Sequence, residues 1–296
     1  MLSVLIPIYN FDVRAFVADL AKQAAALEVD CEIICFDDAS DASFKELHKH
    51  LADNALVRYI ESEENLGRSK VRNAMEREAR YDNLLFLDCD GRVVRDDYLA
   101  QYAQIHSYDV VYGGRVYPKD APTDHTLLFH WYCGKQKEEV DVPQRRQLPY
   151  KSFMTNNFMV RREVYQQIKM DESVKGYGHE DTLFAMELKR HGFAVTHIDN
   201  PLEHIGIEPV EEFLRKSANG VTNLVRLIER GQVDDSIKLV RTYHRLKSMG
   251  LLGTVSRLIT MSEARIMRNL KGPKPNLLWF DLWKLARLFL EEGARG

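Results

Sequence analysis

One short stretch of the chain, residues 84–91, constrains the fold most strongly. Four apolar residues at 84–87 are followed directly by the sequence Asp-Cys-Asp-Gly. A continuous apolar run of this length is typical of a strand that is buried on both faces, in a sheet covered by helices on both sides. Side chains two residues apart on an extended strand point the same way. Asp88 and Asp90 are therefore expected to converge where this strand ends.

The two carboxylates predict a cation site. Carboxylates this close repel each other unless a cation lies between them. Oxygen ligands at an open strand end suit Mg²⁺ or Mn²⁺, which usually bridge to the phosphates of a substrate. Taken alone, residues 88–91 fit an acidic turn after a core strand equally well. The segments on either side decide between these interpretations.

Strand and helix patterns alternate through the first two thirds of the chain. Apolar or β-branched runs indicate strands at residues 3–10, 32–36, 56–60, 84–87, 109–112, 152–160 and 195–198. This alternation predicts an α/β fold with a mostly parallel sheet flanked by helices. Ligands bind such sheets at the carboxyl ends of the strands. Tyr9, Asp38 and the Asp88/Asp90 pair all fall there, which favours a binding site over an acidic turn.

Two other parts of the chain lack this alternation: an irregular segment and a helical one. Residues 116–150 show poor periodicity, several prolines and a charge run, apart from one short helix predicted near 126–131. A long irregular segment in a compact domain is usually a lid or binding loop. From residue 211 onward every segment has helical spacing. We therefore expect an all-helical part after the α/β part.

Several short motifs occur in order on these elements. They are residues 6–10, 37–40, 65–67 with 72–73, 88–90, 176–181, and His204. Together they resemble the ordered motifs of family 2 inverting glycosyltransferases of the GT-A fold, over roughly residues 1–206. The resemblance implies a GT-A-like catalytic domain at 1–207, with a donor half at about 1–115 and an acceptor half at about 116–207. A helical C-terminal extension at 208–296 lies outside it.

The resemblance assigns a metal site to the acidic stretch. Asp88 would reach the ribose or the metal, Asp90 would bind the metal, and His204 would complete the coordination. A divalent cation, Mn²⁺ or Mg²⁺, would neutralise the nucleoside diphosphate that leaves, and an imidazole ligand favours Mn²⁺. The alternative for His204 is a histidine whose hydrogen bonds are satisfied near a turn.

The resemblance also assigns residues to the nucleotide-sugar donor. Asp38 would accept a hydrogen bond from the base, Tyr9 would stack on it, and Pro7 would shape the floor of the pocket. Arg72, before Asn73, is a candidate donor contact, although the arginine at this place is more often a structural anchor. The alternative for the acidic residues 37–41 is that they cap the next helix.

Catalysis is assigned to the pair Glu180 and Asp181. By resemblance Asp181 is the general base that takes a proton from the acceptor hydroxyl, and Glu180 positions the acceptor. A helix N-terminus would keep Asp181 ionised but lower its basicity, and a nearby diphosphate would raise its pKa again. The alternative is two acids of a kind favoured in any first helical turn.

The implied function is transfer of a sugar, with inversion, from a nucleotide sugar to the hydroxyl of a glycan or lipid-linked glycan. One alternative is a haloacid-dehalogenase-like phosphohydrolase, whose first motif resembles residues 87–91. That motif normally ends the first strand and is followed by Thr or Val, whereas here it ends the fourth and Arg92 follows. The other alternative is a non-catalytic sugar-nucleotide-binding protein. The presence of Asp88, Asp90 and Asp181 argues against it.

Charge is distributed unevenly along the chain. Residues 241–296 hold eleven Lys/Arg and four Asp/Glu, so their net charge of +7 leaves −10 for residues 1–240. The aromatic helix around 277–290 adds an apolar stripe with Trp279, Phe280, Trp283 and Phe289. A basic, aromatic, amphipathic segment predicts contact with an anionic membrane surface. The alternative is that the stripe packs on the catalytic domain or in a homodimer.

The sequence also predicts where the protein works. We expect neither a signal peptide nor a spanning helix. The four cysteines lack zinc-site spacing and are expected to be reduced thiols: Cys31, Cys35, Cys89 and Cys133. We therefore expect a cytoplasmic protein, peripheral on the inner membrane face if the tail binds lipid, with no nucleic-acid partner.

Overall fold

The computed structural model describes residues 1–174, 176 and 178–293. The chain forms two compact units. The first comprises residues 1–118, 137–174 and 180–206, and the second comprises residues 119–136, 175–179 and 207–296. The domain limits predicted from the sequence stay predictions.

Ten strands lie in the first unit. They are β1 (Leu2–Ile8), β2 (Cys31–Asp37), β3 (Val57–Glu61), β4 (Asn83–Leu87), β5 (Gly91–Val93), β6 (Val110–Tyr112), β7 (Arg115–Val116), β8 (Asn157–Arg161), β9 (Val195–His197) and β10 (Leu202–His204).

The helices before residue 207 are α1 (Arg14–Ala25), α2 (Ala42–His48), α3 (Arg68–Glu78), α4 (Tyr98–Ala103), α5 (Leu128–Lys137), α6 (Val142–Gln147), α7 (Arg162–Ile168) and α8 (Glu180–His191), with a 3-10 turn at Leu51–Asp53. The later ones are α9 (Val210–Glu229), α10 (Lys238–Ser248), α11 (Leu252–Met261), α12 (Glu263–Leu270) and α13 (Leu277–Gly293).

A seven-stranded sheet with the order β3-β2-β1-β4-β8-β6-β9 forms the centre of the first unit. Strands β1 to β4 pair in parallel, and β8 runs antiparallel to both β4 and β6. A second sheet has the order β5-β10-β7. The predicted α/β class with a mostly parallel sheet is confirmed.

Strand β4 is buried on both faces, as its apolar run predicts. Leu85 and Leu87 belong to the core on one side, with α1 and α4. Leu84 and Phe86 belong to the core on the other side, with α3, α7 and α8. The alternation of side chains along the strand produces this division, and it fixes Asp88 at the carboxyl edge of the sheet.

The segment 116–150 is more regular than its sequence suggests. It contains two helices, α5 and α6, of which only the first was predicted, and with shorter bounds. Helix α6 begins after Asp141, whose carboxylate accepts a hydrogen bond from the Gln144 backbone N–H, and carries Pro143 in its first turn. An acidic N-cap followed by proline favours a helix start, so a prediction that treated the prolines as irregular structure was wrong here.

The second unit is helical and has its own core. Phe129 of α5 packs there with Phe213 of α9 and with Phe280 of α13, at ring-centroid distances of 5.6 and 5.1 Å. Phe280 and Trp283 are buried. Much of the aromatic stripe predicted to face a membrane therefore lies inside this unit. The stripe is on α13, and its buried side chains pack in one core with residues of α5, α9, α11 and α12. In the part of the chain that the structure describes, no helix has the length and apolarity to cross a bilayer.

Candidate active site

The residues predicted to bind the donor lie at the carboxyl edge of the large sheet. Pro7 is the residue before the last of β1, and Tyr9 directly follows this strand with 54% of its surface exposed. Asp38 follows β2, and Asp88 follows β4. Parallel pairing of β1 with both β2 and β4 places these chain ends side by side. An exposed ring at this edge is available for stacking on a planar ligand.

Asp88 is held by two arginines. Arg72 Nη2 donates to Asp88 Oδ1 at 2.6 Å, and Arg115 Nη2 lies 3.7 Å from Asp88 Oδ2. Arg72 is itself buried in α3 and donates to the Arg68 carbonyl. Its contact with Asp88 matches the structural-anchor interpretation, because the guanidinium orients the first acid of the pair.

Asp90 pairs with His204. The Nδ1 atom of His204 lies 3.3 Å from Asp90 Oδ1. Strand β10 brings the histidine there by pairing antiparallel with β5, with His204 opposite Gly91. The Ile205 N–H donates to the Asp90 carbonyl at 2.9 Å, which fixes the two backbones together. Asp90 and His204 are far apart in the sequence, and the pairing of β5 with β10 in the small sheet brings them together.

The charges around Asp90 keep it anionic. Burial raises the pKa of this carboxyl, but His204 and Arg115 outweigh burial and hold the pKa well below its usual range. Its Oδ1 atom is buried and makes no hydrogen bond among the described residues. A buried anionic oxygen beside an imidazole nitrogen fits a divalent cation that accepts mixed oxygen and nitrogen ligands.

The third predicted metal ligand is placed differently. In the described residues, no group of three His, Cys, Asp or Glu side chains is arranged to hold a metal. Asp90 and His204 come together, whereas the arginines hold Asp88 at the side of this pair. Of the three predicted metal ligands, only Asp90 and His204 are therefore in direct contact.

Arg115, Tyr117 and Glu138 extend the site in a way that the sequence analysis missed. Arg115 Nη1 donates to Glu138 Oε2 at 2.8 Å, and the Tyr117 hydroxyl donates to the same oxygen. Arg115 Nη2 also lies 3.5 Å from His204 Nδ1. Burial raises the pKa of Glu138, but Arg115 and Tyr117 reverse this and lower it. No motif marks these residues in the sequence. The pairing of β7 with β10 brings Arg115 close to His204.

Glu180 and Asp181 begin α8 and differ in their surroundings. Arg68 Nη1 donates to Glu180 Oε1 at 2.9 Å. Burial raises the pKa of Glu180, but Arg68, the Glu180 backbone N–H and Arg72 together lower it below its usual value. Burial and the neighbouring Glu180 charge raise the pKa of Asp181 to about 6. The helix N-terminus was expected to lower the basicity of Asp181, and the Thr182 N–H does donate to Oδ1 at 2.7 Å, yet burial and like charge dominate. Lys175 and Tyr177 of the same motif lie outside the described residues.

Asp38 is engaged by the loop before α3. Its two oxygens accept hydrogen bonds from the backbone N–H groups of Leu66 at 2.6 Å and Gly67 at 2.9 Å. Burial raises the pKa of Asp38. The two hydrogen bonds lower this pKa, but by less than burial raises it. Asp38 therefore fixes the Asn-Leu-Gly turn against β2, and its predicted contact with a base stays a prediction.

The alternative role of the acidic residues 37–41, capping of α2, is not what the structure shows. Asp37 Oδ1 accepts from the Ser40 N–H at 2.7 Å, and Asp41 Oδ2 accepts from Asn10 Nδ2 at 3.2 Å. The N-cap position of α2, Asp41, makes no side-chain capping bond. The acidic cluster thus organises the turn between β2 and α2 and ties it to the end of β1.

Gly206 gives a direct test of how closely Asp90 is packed. A Cβ atom added at Gly206 would lie 2.5 Å from Asp90 Oδ2 and 2.8 Å from Asp90 Cβ. We expect Gly206→Ala to displace the Asp90 carboxylate. If Asp90 and His204 hold a cation, as the family resemblance implies, this variant should bind Mn²⁺ more weakly by about tenfold or more, since displaced partners of metal ligands act on this scale. Titration calorimetry with Mn²⁺ and a nucleoside diphosphate measures this affinity.

Gly253→Ala is the matched control for this substitution. An added Cβ at Gly253 would meet only Phe289, at 4.0 Å. Alanine also favours the helical conformation of α11. Unchanged affinity in both variants would show that Gly206 does not constrain Asp90.

Comparisons with known proteins identify the family. The sequence matches the model described as "Glycosyl transferase family 2" over residues 3–169. No curated protein sequence gives a match.

Solved structures share the fold. A mannosyltransferase, PcManGT from Pyrobaculum calidifontis, in complex with GDP-Man and Mn2+, is 13% identical with a TM-score of 0.64, covering 98% of this chain and 86% of its own. S. aureus TarS is 16% identical with a TM-score of 0.51, covering 99% of this chain and 55% of its own. These similarities establish the GT-A fold. Because the family match spans more than half of the sequence, the chain belongs to glycosyl transferase family 2.

Proposed function

We propose that this protein transfers a sugar from a nucleotide-sugar donor to an acceptor hydroxyl, with metal assistance and inversion of the anomeric carbon. One observation carries the proposal: two carboxylates of the site have opposite pKa shifts. Asp90 is held below its usual range, and Asp181 is raised to about 6. Pairs of titratable groups whose pKa values are shifted in opposite directions are typical of active sites, where the two groups have different chemical roles. A permanent anion suits a cation ligand, and a carboxyl with a pKa near neutrality suits a general base.

Asp90 and His204 would hold Mn²⁺ or Mg²⁺, with Asp88 beside them. The cation would neutralise charge on the leaving diphosphate. Arg115 also lies next to Asp88 and His204 and supplies a fixed positive charge at the same place. This combination would favour a dianionic diphosphate over a neutral ligand.

Asp181 would accept the proton of the acceptor hydroxyl. As the acceptor oxygen forms its bond to the anomeric carbon, the bond from that carbon to the diphosphate oxygen breaks, and the nucleoside diphosphate leaves with the electron pair. Attack from the face opposite the leaving group inverts the configuration. Glu180, fixed by Arg68, would position the acceptor and keep the pKa of Asp181 high through its charge.

The donor base would lie against Tyr9 and Pro7. Tyr9 offers an exposed ring, and Asp38 fixes the neighbouring turn through Leu66 and Gly67. Any contact of Asp38 with the base would have to share oxygens that already accept these two N–H groups. Stacking by Tyr9 is thus the better supported of the two donor contacts.

The acceptor class and location extend this proposal. A glycan or a lipid-linked glycan is the proposed acceptor, in polysaccharide biosynthesis at the cytoplasmic side of a membrane. The net charge of +7 in residues 241–296 supports this location, because polybasic segments associate with anionic leaflets. Dimer formation remains the alternative role for the helical unit.

The two rival functions fare differently. The family match and the position of Asp88 after the fourth strand remove the phosphohydrolase interpretation. Arg72 also donates a hydrogen bond to one oxygen of Asp88, and Arg115 lies 3.7 Å from the other; two positive charges so close would weaken a nucleophile. A non-catalytic sugar-nucleotide-binding protein stays the alternative, and turnover separates it from the enzyme.

A thermal-shift panel tests donor binding. UDP-, GDP-, CDP- and dTDP-linked sugars are compared with and without Mn²⁺. A ligand that binds only the native state raises the melting temperature, by an amount that follows its concentration relative to Kd. We expect one nucleotide class to give a Mn²⁺-dependent rise that EDTA removes. The absence of a rise with every nucleotide sugar would contradict the proposal.

A further inference from the structure

Helix α11 carries two apolar faces, of which only one is buried. Leu252, Ser256 and Ile259 point into the core of the helical unit. Leu258 and Met261 are exposed over 60% and 76% of their surfaces, and Leu251, the N-cap residue directly before the helix, over 42%. Residues at i, i+7 and i+10 share one side of an α-helix. Three large apolar side chains thus form one exposed row.

Met249 lengthens this row. It lies in the turn between α10 and α11 and is exposed over 57% of its surface. Large apolar side chains on a surface are common singly, whereas a contiguous group marks an interaction site. We call Met249, Leu251, Leu258 and Met261 the α11 row.

Arginines accompany the α11 row. Arg257 lies within α11, and Arg265 and Arg268 lie on α12, directly after it. All three are exposed. In the part of the chain that the structure describes, none of them forms an ion pair, unlike Arg287, which pairs with Glu263. Long, unpaired basic side chains close in sequence to an apolar row give this segment the composition of an interfacial helix.

We propose that the α11 row and these three arginines dock the protein on an anionic lipid surface. The apolar side chains would enter the boundary between headgroups and acyl chains, and the guanidinium groups would contact anionic headgroups. A second copy of the chain is the weaker occupant. A two-fold symmetric contact places the same patch on both subunits, which would bring the arginines of the two copies together.

This inference differs from the prediction made from the sequence. The aromatic helix α13 was expected to meet the membrane, but Phe280 and Trp283 are buried in the helical unit. Helix α13 still exposes two leucines, Leu278 and Leu290. The larger group of exposed apolar side chains is on and just before α11, where the sequence shows no aromatic residue. Docking through α11 does not depend on the donor, the metal or the base, so its test is independent of the proposed activity.

Vesicle co-sedimentation of the full-length chain tests the proposal. Sucrose-loaded vesicles of phosphatidylcholine with phosphatidylserine are compared with vesicles of phosphatidylcholine alone. The variants are Leu258→Ser with Met261→Ser, and Arg257→Gln with Arg265→Gln and Arg268→Gln. Leu148→Ser, an exposed leucine of the first unit, is the apolar control, and Arg190→Gln, an exposed arginine of α8, is the basic control.

We expect binding to the anionic vesicles only, and less binding as salt is added. Each arginine near an anionic surface changes the partition coefficient by about fivefold, so the triple variant should lose about a hundredfold. The Leu258/Met261 variant should also lose most of its binding, and the two controls should bind like the wild type. Circular dichroism spectra verify that each variant is folded.

Two outcomes would overturn the proposal. One is equal sedimentation with anionic and neutral vesicles, or without vesicles. The other is a dimer, seen by analytical ultracentrifugation, that Leu258→Ser with Met261→Ser converts to a monomer; the α11 row would then be an interface between copies.

Discussion

Replacing Asp181 with asparagine is expected to lower turnover by about two to four orders of magnitude, the usual contribution of a positioned base. Asparagine keeps the size and the hydrogen bond from the Thr182 N–H but cannot take a proton from the acceptor. The affinity for the nucleotide donor should stay close to that of the wild type, since Asp90, His204 and Tyr9 are unchanged. Steady-state kinetics and donor calorimetry measure the two effects separately.

Glu187→Gln is the matched control for this variant. Glu187 lies on the same helix and pairs with Arg190 at the surface. Its replacement should change turnover by less than about twofold, as for most surface substitutions. Unchanged turnover in Asp181→Asn would assign the base to Glu180 or to another group.

The pH dependence of the reaction follows from the same carboxyl. A general base works in its deprotonated form, and the pKa of Asp181 is about 6. The value of kcat/KM should therefore fall as the pH is lowered through about 6, and the slope should vanish in Asp181→Asn. Binding of the anionic donor would move this midpoint upward in the complex.

Asp181 also affects stability, with a definite sign. Its pKa in the folded protein is raised above the unfolded value of 3.8, because the fold favours the protonated carboxyl. The contribution of the protonated carboxyl to the free energy of unfolding is therefore fully present below pH 3.8 and is lost as the pH rises through about 6. At neutral pH the ionised carboxylate is a net cost to the fold. Asp181→Asn should thus be more stable than the wild type at neutral pH, by up to about 3 kcal/mol, and the difference should disappear near pH 4. Stabilisation by loss of a functional group is common in active sites.

Replacing Asp90 with alanine should remove metal-dependent donor binding. Asp90 Oδ1 is the buried oxygen without a hydrogen bond that faces His204. Its loss should weaken binding of UDP or GDP in the presence of Mn²⁺ by about a hundredfold or more, beyond the tenfold to hundredfold cost of changing an outer partner of a metal ligand. Binding with EDTA present should be the same in the two proteins. Calorimetry in both conditions measures this difference.

Asp96→Ala is the control for the loss of a carboxylate from this region. Asp96 is exposed in the segment between β5 and α4. The variant should bind nucleotide with Mn²⁺ like the wild type. Equal affinities of Asp90→Ala and wild type would show that the cation, if one is used, binds elsewhere.

The main sheet and the position of the acidic pair could be predicted from the sequence because they depend on local patterns. The apolar run before Asp88 defines β4 without knowledge of its neighbours, and the fold class follows from repeated βα units. The Asp90–His204 contact could be anticipated only through the family resemblance. The small sheet β5-β10-β7 that creates it consists of strands of two or three residues, too short for a periodic signal.

Contacts between distant segments explain the remaining differences. Arg115 and Glu138 meet through tertiary packing, and neither lies in a motif. The raised pKa of Asp181 depends on burial and on Glu180, and burial has no signature in a polar helix start. The stripe on α13 was visible in the sequence, but whether it faces solvent or other helices depends on α9 and α11.

The most direct test of the central claim is the reaction followed by ³¹P and ¹H NMR. The donor selected by thermal shift is incubated with Mn²⁺, the protein and a series of simple alkyl glycosides as acceptors. The account predicts that a nucleoside diphosphate is released and that the new glycoside has the anomeric configuration opposite to that of the donor. Retention of the donor configuration, or release of inorganic phosphate, would contradict it.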